Sequence, residues 1–316
     1  MANFSKPDPR PRGTGAAREF VAPAGQVRQR GEAAPYPAVE RVAAKRPERS
    51  EPAATGEGLR GSRSGPARDE LKLCGLAAVR ARFAKDPDSI LRLFFDEPTS
   101  RRVGIMSKVL AQAKKVYRCV PPAELEKIAG SVHHGGIVAV VKAPVLRTPT
   151  GDNLRSWAAR RETVLVLDRI GNAHNLGALA RTAAFFGVPR IVLAEDGSAA
   201  KPSDAAHRVA EGGLEHVEVW QTKDLVTLAK QLALAGYEVV GAATRGGRPE
   251  ANRLAEKPVA LVLGNEEHGL APELARACTR LVTIPGVGAV ESLNVSVAGA
   301  VLLWELVARR GRPASA

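Results

Sequence analysis

The stretch RLVTIPGVGAVESLNVSVAGAVLLWELVARR, residues 280–310, runs from a short apolar strand through a glycine-rich loop into a long apolar helix. Within it, Ser292 or Asn294 can cap the helix by accepting its first backbone N–H bonds. GVGAVE (286–291) superficially resembles a dinucleotide-binding turn, but it lacks the third glycine and follows the last strand, which counts against hydride transfer. The segments before it repeat the same alternation. VLVLD, RIVLA, HVEVW, YEVVGAA and VALVLG are continuous apolar runs, as in strands covered on both faces. Helical stretches such as LGALARTAAFFG and DLVTLAKQLALAG separate them. This pattern predicts an α/β domain with a mostly parallel sheet and helices on both faces.

In such a sheet, ligands bind beyond the carboxyl ends of the strands. Two further loops at such ends stand out. One is DRIGNAHNLG (168–177), which leads into a helix carrying Arg181; Asn175 is the expected cap, with Arg181 in the second turn. As a structure alone it could be a capped surface helix with a solvated arginine. The other is LGNEEHGL (263–270), where two glycines bracket a polar turn and let backbone approach a ligand. A metal site at His268 and its neighbouring glutamates lacks the usual spacing and a third ligand.

Residues 71–142 form a smaller α/β unit in the sequence pattern. LKLCGLAAVRARFA reads as a helix, ILRLFFD as a strand, VGIMSKVLAQAKK as a helix and YRCV as a strand. PPAELEKIAG reads as a helix opened by proline, and GGIVAVVK as the closing strand. The domain expectations are a disordered basic tail over 1–68, a small domain over 69–143, a linker over 144–162 and the larger domain over 163–312.

The 316 residues carry a net charge of +13, and the tail holds 13 basic and 7 acidic residues of that balance. A polyanionic partner fits this charge, and Arg10, Arg12, Arg28 and Arg30 could tether it, although a solvated tail with no partner is equally compatible. Aromatics make up 4% of the chain, so an exposed stacking surface is disfavoured. Three cysteines, Cys74, Cys119 and Cys278, form no C-x-x-C pair and argue against a disulfide framework or a cysteine-rich zinc site. No apolar run reaches the roughly 18 residues of a membrane span, and MANFSKPDPRPRG has no signal core. The expectation is a cytoplasmic protein with no membrane partner.

Taken in order, NAHNLGALARTAAFFGV, LVLGNEEHGL and IPGVGAVESLNVSVA resemble the three motifs of the SpoU (TrmH-like) branch of the SPOUT RNA methyltransferases. Cys74-Gly75 and His133-His134-Gly135-Gly136-Ile137 are similar to that family's ribosomal-protein-like RNA-binding domain. AEGGLEHV (210–217) and the arginine-rich extension look closest to one bacterial subgroup. The resemblance implies a C-terminal trefoil knot, a homodimer, S-adenosyl-L-methionine as cofactor, no metal, and methyl transfer to a ribose 2′-hydroxyl of tRNA or rRNA. It further implies cofactor contacts from Thr244, Gly264, Gly269, Ile284 and Leu293. For the reaction it implies Arg181, Asn175, Glu266, Asn294 and Ser296, with Glu266 orienting Arg181 or a loop amide. Glu267 and Gly286 stand where the family usually has Gly and Met. A non-catalytic RNA-binding protein that keeps the same fold is the alternative reading.

Overall fold

The computed structural model describes residues 70–244, 246–247 and 257–308. The expected tail with its four arginines, and residues 309–312 of the expected larger domain, lie outside the described residues.

The first sheet is built from β1 (Glu70–Cys74), β2 (Ile90–Phe95), β3 (Val116–Cys119) and β4 (Ile137–Lys142), in the order β1-β4-β2-β3. Its helices are α1 (Leu76–Lys85), α2 (Glu97–Ser100), α3 (Gly104–Gln112) and α4 (Pro122–Ala129). β4 pairs antiparallel with both β1 and β2, whereas β2 and β3 are parallel. One expectation fails here. LKLC, read as the start of a helix, is strand β1, and only the residues after Gly75 are helical. Leu71 and Leu73 alternate with exposed or half-buried neighbours, so pairing with β4 buries both, and that period of two overrides the helical spacing downstream.

α5 (Gly151–Ala159) is the short amphipathic piece of the expected linker. Thr150 and Asn153 form a reciprocal capping box at its start. Its Leu154 and Trp157 are buried in the core of the second sheet, so this part of the connection is packed structure.

The second sheet contains β5 (Val164–Leu167), β6 (Arg190–Ala194), β7 (Glu218–Thr222), β8 (Glu238–Ala242), β9 (Val259–Leu263) and β10 (Arg280–Val282). All are parallel, in the order β10-β8-β9-β5-β6-β7. Between them run α6 (Ala173–Phe185), α7 (Asp204–Ala210), α8 (Gly213–His216), α9 (Leu225–Leu234) and α10 (Pro272–Ala277), and α11 (Val295–Leu306) follows β10. The strand pleat divides the core. Leu165, Leu167, Leu261 and Leu263 face α6, α7, α8 and α11, while Val164, Val166, Ala260 and Val262 face α5, α9 and α10. Each fully buried leucine or valine contributes about 1.5–3 kcal/mol.

The last third of the chain gives the fold its character. β8 and β10 lie beyond β9, and the chain after β10 returns past the loop following β8, where the Gly247 N–H donates to Thr283 Oγ1 at 3.0 Å. α11 then packs on the α6 face, opposite α10. The knot that the motifs imply involves the loop after β8, of which residues 245 and 248–256 lie outside the described residues.

The two modules meet through α1, β1, α7 and α8. Arg82 Nε lies 2.6 Å from Glu215 Oε2, and Arg82 Nη2 donates to Glu215 Oε1 at 2.9 Å. Lys85 Nζ donates to the Glu215 carbonyl at 3.0 Å, and the Lys72 N–H donates to Asp204 Oδ1 at 2.8 Å. Glu215 is 4% exposed, and a carboxylate so buried needs a partner, which Arg82 supplies through both oxygens. His207, 3% exposed, sits beside the pair, with Nδ1 3.6 Å from Glu215 Oε1. Burial, and secondarily the Arg82 charge, push its pKa down to about 4, so it is neutral near pH 7.

Candidate cofactor and RNA site

A cavity of about 830 Å³ opens at the carboxyl ends of β8, β9 and β10. Its wall is built mainly by the loops after those strands and by the start of α11. Thr244, Gly264, Gly269, Ile284 and Leu293, all expected to contact cofactor, line this one space. Glu266 lines it as well.

The loop after β9 is shaped by backbone proximity. A Cβ on Gly264 would overlap the backbone of Gly269 and Leu270, so only glycine fits. Asn265 and Gly269 form an isolated antiparallel bridge, and Asn265 Oδ1 accepts from the N–H groups of Glu267 and His268 at 3.0 and 3.1 Å. This folds Glu267 and His268 to an exposed tip. Two residues outside the expected site anchor the turn to β5. Asp168, 4% exposed, accepts from Arg169 Nε and Nη2 at 3.0 and 3.1 Å and from the Ala271 N–H at 2.9 Å. Arg169 Nη2 also donates to the Gly269 carbonyl at 3.0 Å, and Asn265 Nδ2 donates to the Arg169 carbonyl at 3.0 Å. Arg169 holds a left-handed backbone, φ 56, and its hydrogen bond to Asp168 pushes its pKa up further. The sequence signal for the pair is a charged dipeptide directly after a wholly apolar strand.

Four of the residues expected to serve the reaction form one polar chain. Asn175 Nδ2 donates to Glu266 Oε1, and Asn294 Nδ2 donates to Asn175 Oδ1 at 3.2 Å. Asn294 Oδ1 in turn accepts from the Ser296 hydroxyl at 2.6 Å and its N–H at 2.9 Å, which caps α11. Residues from three distant loops therefore meet beside the cavity.

Two details differ from the sequence reading. The cap of α6 is Asn172, whose side chain accepts from the His174 N–H at 2.8 Å, and Asn175 lies inside the first turn. Counted from that cap, Arg181 stands in the third turn. Of the two roles expected for Glu266, the structure shows the loop amide, that of Asn175, and Arg181 Nη1 pairs with Glu211 Oε1 at 3.0 Å. Both side chains of that pair are more than half exposed. Among the described residues no group of three His, Cys, Asp or Glu side chains is arranged to hold a metal, and no helix is long and apolar enough to cross a membrane.

A parallel α/β sheet whose final loops enclose a ligand-sized cavity, joined to a small α/β module, defines the class of two-module SPOUT-type proteins. The chain belongs to the SpoU rRNA Methylase family, whose profile matches residues 162–304; a second profile, RNA 2′-O ribose methyltransferase substrate binding, matches residues 72–145. It is 36% identical over 241 residues to the uncharacterized tRNA/rRNA methyltransferase YfiF of Escherichia coli O157:H7, covering 75% of this chain and 68% of that one. It is 33% identical over 241 residues to the 23S rRNA (guanosine-2′-O-)-methyltransferase RlmB of Bordetella pertussis, covering 75% and 97%. The AdoMet-bound rRNA methyltransferase of Sinorhizobium meliloti superposes with a TM-score of 0.61 at 25% identity, covering 75% of this chain and 86% of that one.

Proposed function

We propose that this chain is an S-adenosylmethionine-dependent methyltransferase that modifies a ribose 2′-hydroxyl of tRNA or rRNA. The observation that carries the reading is the convergence of Thr244, Gly264, Gly269, Ile284 and Leu293 on one cavity at the strand ends. The turn after Gly264 leaves no room for a side chain, so backbone groups can approach a flat ligand closely. The cofactor, when bound, supplies a methyl group already activated by its sulfonium.

The protein's work is alignment. Gly264, Ile284 and Leu293 would offer backbone groups to the cofactor, and Thr244 and Gly269 line the same cavity. Glu266 holds the Asn175 amide, which leaves the polar chain through Asn294 and Ser296 ordered for the ribose. Arg181 acts as a clamp on a phosphate or ribose oxygen, because a guanidinium stays protonated near neutral pH and is a poor base. The active form is a homodimer joined through α11, where Val297 and Val301 are 48% and 40% exposed, with Phe185 of α6, 82% exposed. Its place of work is the cytoplasm, with tRNA or rRNA.

The test combines calorimetry with S-adenosylmethionine and transfer of labelled methyl to bulk RNA from cells lacking the gene. Cofactor binding with ribose methylation that Arg181→Ala abolishes is the expected result. Binding of RNA with neither cofactor affinity nor methyl transfer would instead identify a non-catalytic RNA-binding protein.

A further inference from the structure

The turn Glu211-Gly212-Gly213 joins α7 to α8 and touches two helices at once. Gly213 lies so close to α6 that an added Cβ would sit 2.6 Å from the Cα of Arg181. Gly212, at φ +94, lies against α1 of the small module, where a Cβ would sit 3.2 Å from the Cα of Ala78. The turn is thus pressed between the helix that carries Arg181 and a helix of the other module. Glu211 itself holds a left-handed backbone, φ 45 and ψ 42, whose steric cost a glycine would avoid. From this seat its carboxylate reaches Arg181 Nη1 at 3.0 Å.

Stability does not account for a glutamate here. The two side chains are 57% and 63% exposed, and ion pairs so open to solvent contribute little. The left-handed backbone counts against any residue with a Cβ. Lys114 and Arg161 hold the same left-handed backbone at the ends of α3 and α5, so what sets Glu211 apart is its reach to Arg181. A guanidinium carries five N–H donors, so an ion pair at Nη1 leaves donors for a substrate oxygen.

We infer that Glu211 is a positioning residue for Arg181. It fixes the direction of the guanidinium from a turn braced by the small module, so the clamp is oriented before RNA arrives. This rests on Arg181 acting on the RNA, as proposed above. Glu211 neither gives nor takes a proton in the reaction.

The test uses the full chain, bulk RNA from cells lacking the gene, and labelled S-adenosylmethionine, with kcat, KM and melting temperature measured together. Glu211→Gly should melt no lower than the parent, because the backbone strain is relieved, while kcat falls about tenfold and cofactor affinity stays unchanged. Glu211→Gln, which keeps an acceptor for Arg181, should hold kcat within about threefold of the parent. Parental kcat in Glu211→Gly beside an inactive Arg181→Ala overturns the positioning role alone. A lower melting temperature in Glu211→Gly also overturns it, since the side chain would then serve the fold. An active Arg181→Ala overturns the positioning role together with the reading of Arg181 beneath it.

Discussion

At the level of single residues, the site depends on how closely two pieces of backbone approach. Gly264→Ala would force a methyl group into the backbone of Gly269 and Leu270, which Arg169 and Asn265 already hold in place. The loop must then shift, at a cost of about 1–3 kcal/mol in stability, and affinity for S-adenosylmethionine should fall at least about tenfold. Calorimetry on a folded Gly264→Ala chain decides the matter, and parental affinity would show that this loop does not seat the cofactor. The glycines are legible in the sequence because their chemistry is local, and the cap of α11 is narrowed to Ser292 or Asn294, of which the structure uses Asn294. The cap of α6 is not, since Asn172 and Asn175 offer the same side-chain oxygen three residues apart and only the backbone decides between them. Nor can spacing reveal that Glu266 binds Asn175, 91 positions earlier, and leaves Arg181 to Glu211.

Among the secondary-structure elements, the parallel strands are readable because β5 and β9 are buried on both faces and therefore apolar throughout. β1 is not, because its five residues run straight into a helix and its pairing partner lies over sixty positions away. α7 and α8 are equally hard to read, being short and held between α6 on one side and β1 and α1 of the small module on the other. That packing gives the interface a pH dependence. His207 has a folded pKa of about 4 against about 6.5 when unfolded, so between those values the unfolded chain binds a proton that the folded chain does not. Stability should therefore decline as pH falls from about 6.5 to about 4, by an amount of order 3 kcal/mol from this residue, and His207 should add no further loss below that. His207→Gln should flatten this part of the curve in urea titrations. A curve of unchanged slope would mean that His207 is protonated within the fold, balanced by Glu215.

Across the whole molecule, the basic charge is divided between residues 1–68, which hold 13 basic and 7 acidic side chains, and the rest of the chain. If those residues meet RNA, deleting them should lower affinity and flatten its dependence on salt by about 0.7–0.9 in log–log slope for each phosphate they neutralise. Cofactor affinity should stay the same, and an unchanged salt slope would show that the segment neutralises no phosphates. One bond between the modules has a consequence of another kind. β1 is an edge of its sheet, with backbone groups that could recruit a strand from a neighbouring molecule. Asp204 at the start of α7 accepts the outward N–H of Lys72, and α7 lies along that edge. Docking the two modules thus also closes a seam along which copies of the protein could otherwise stack into insoluble ribbons, so a chain whose modules separate is at once less organised and more prone to clump.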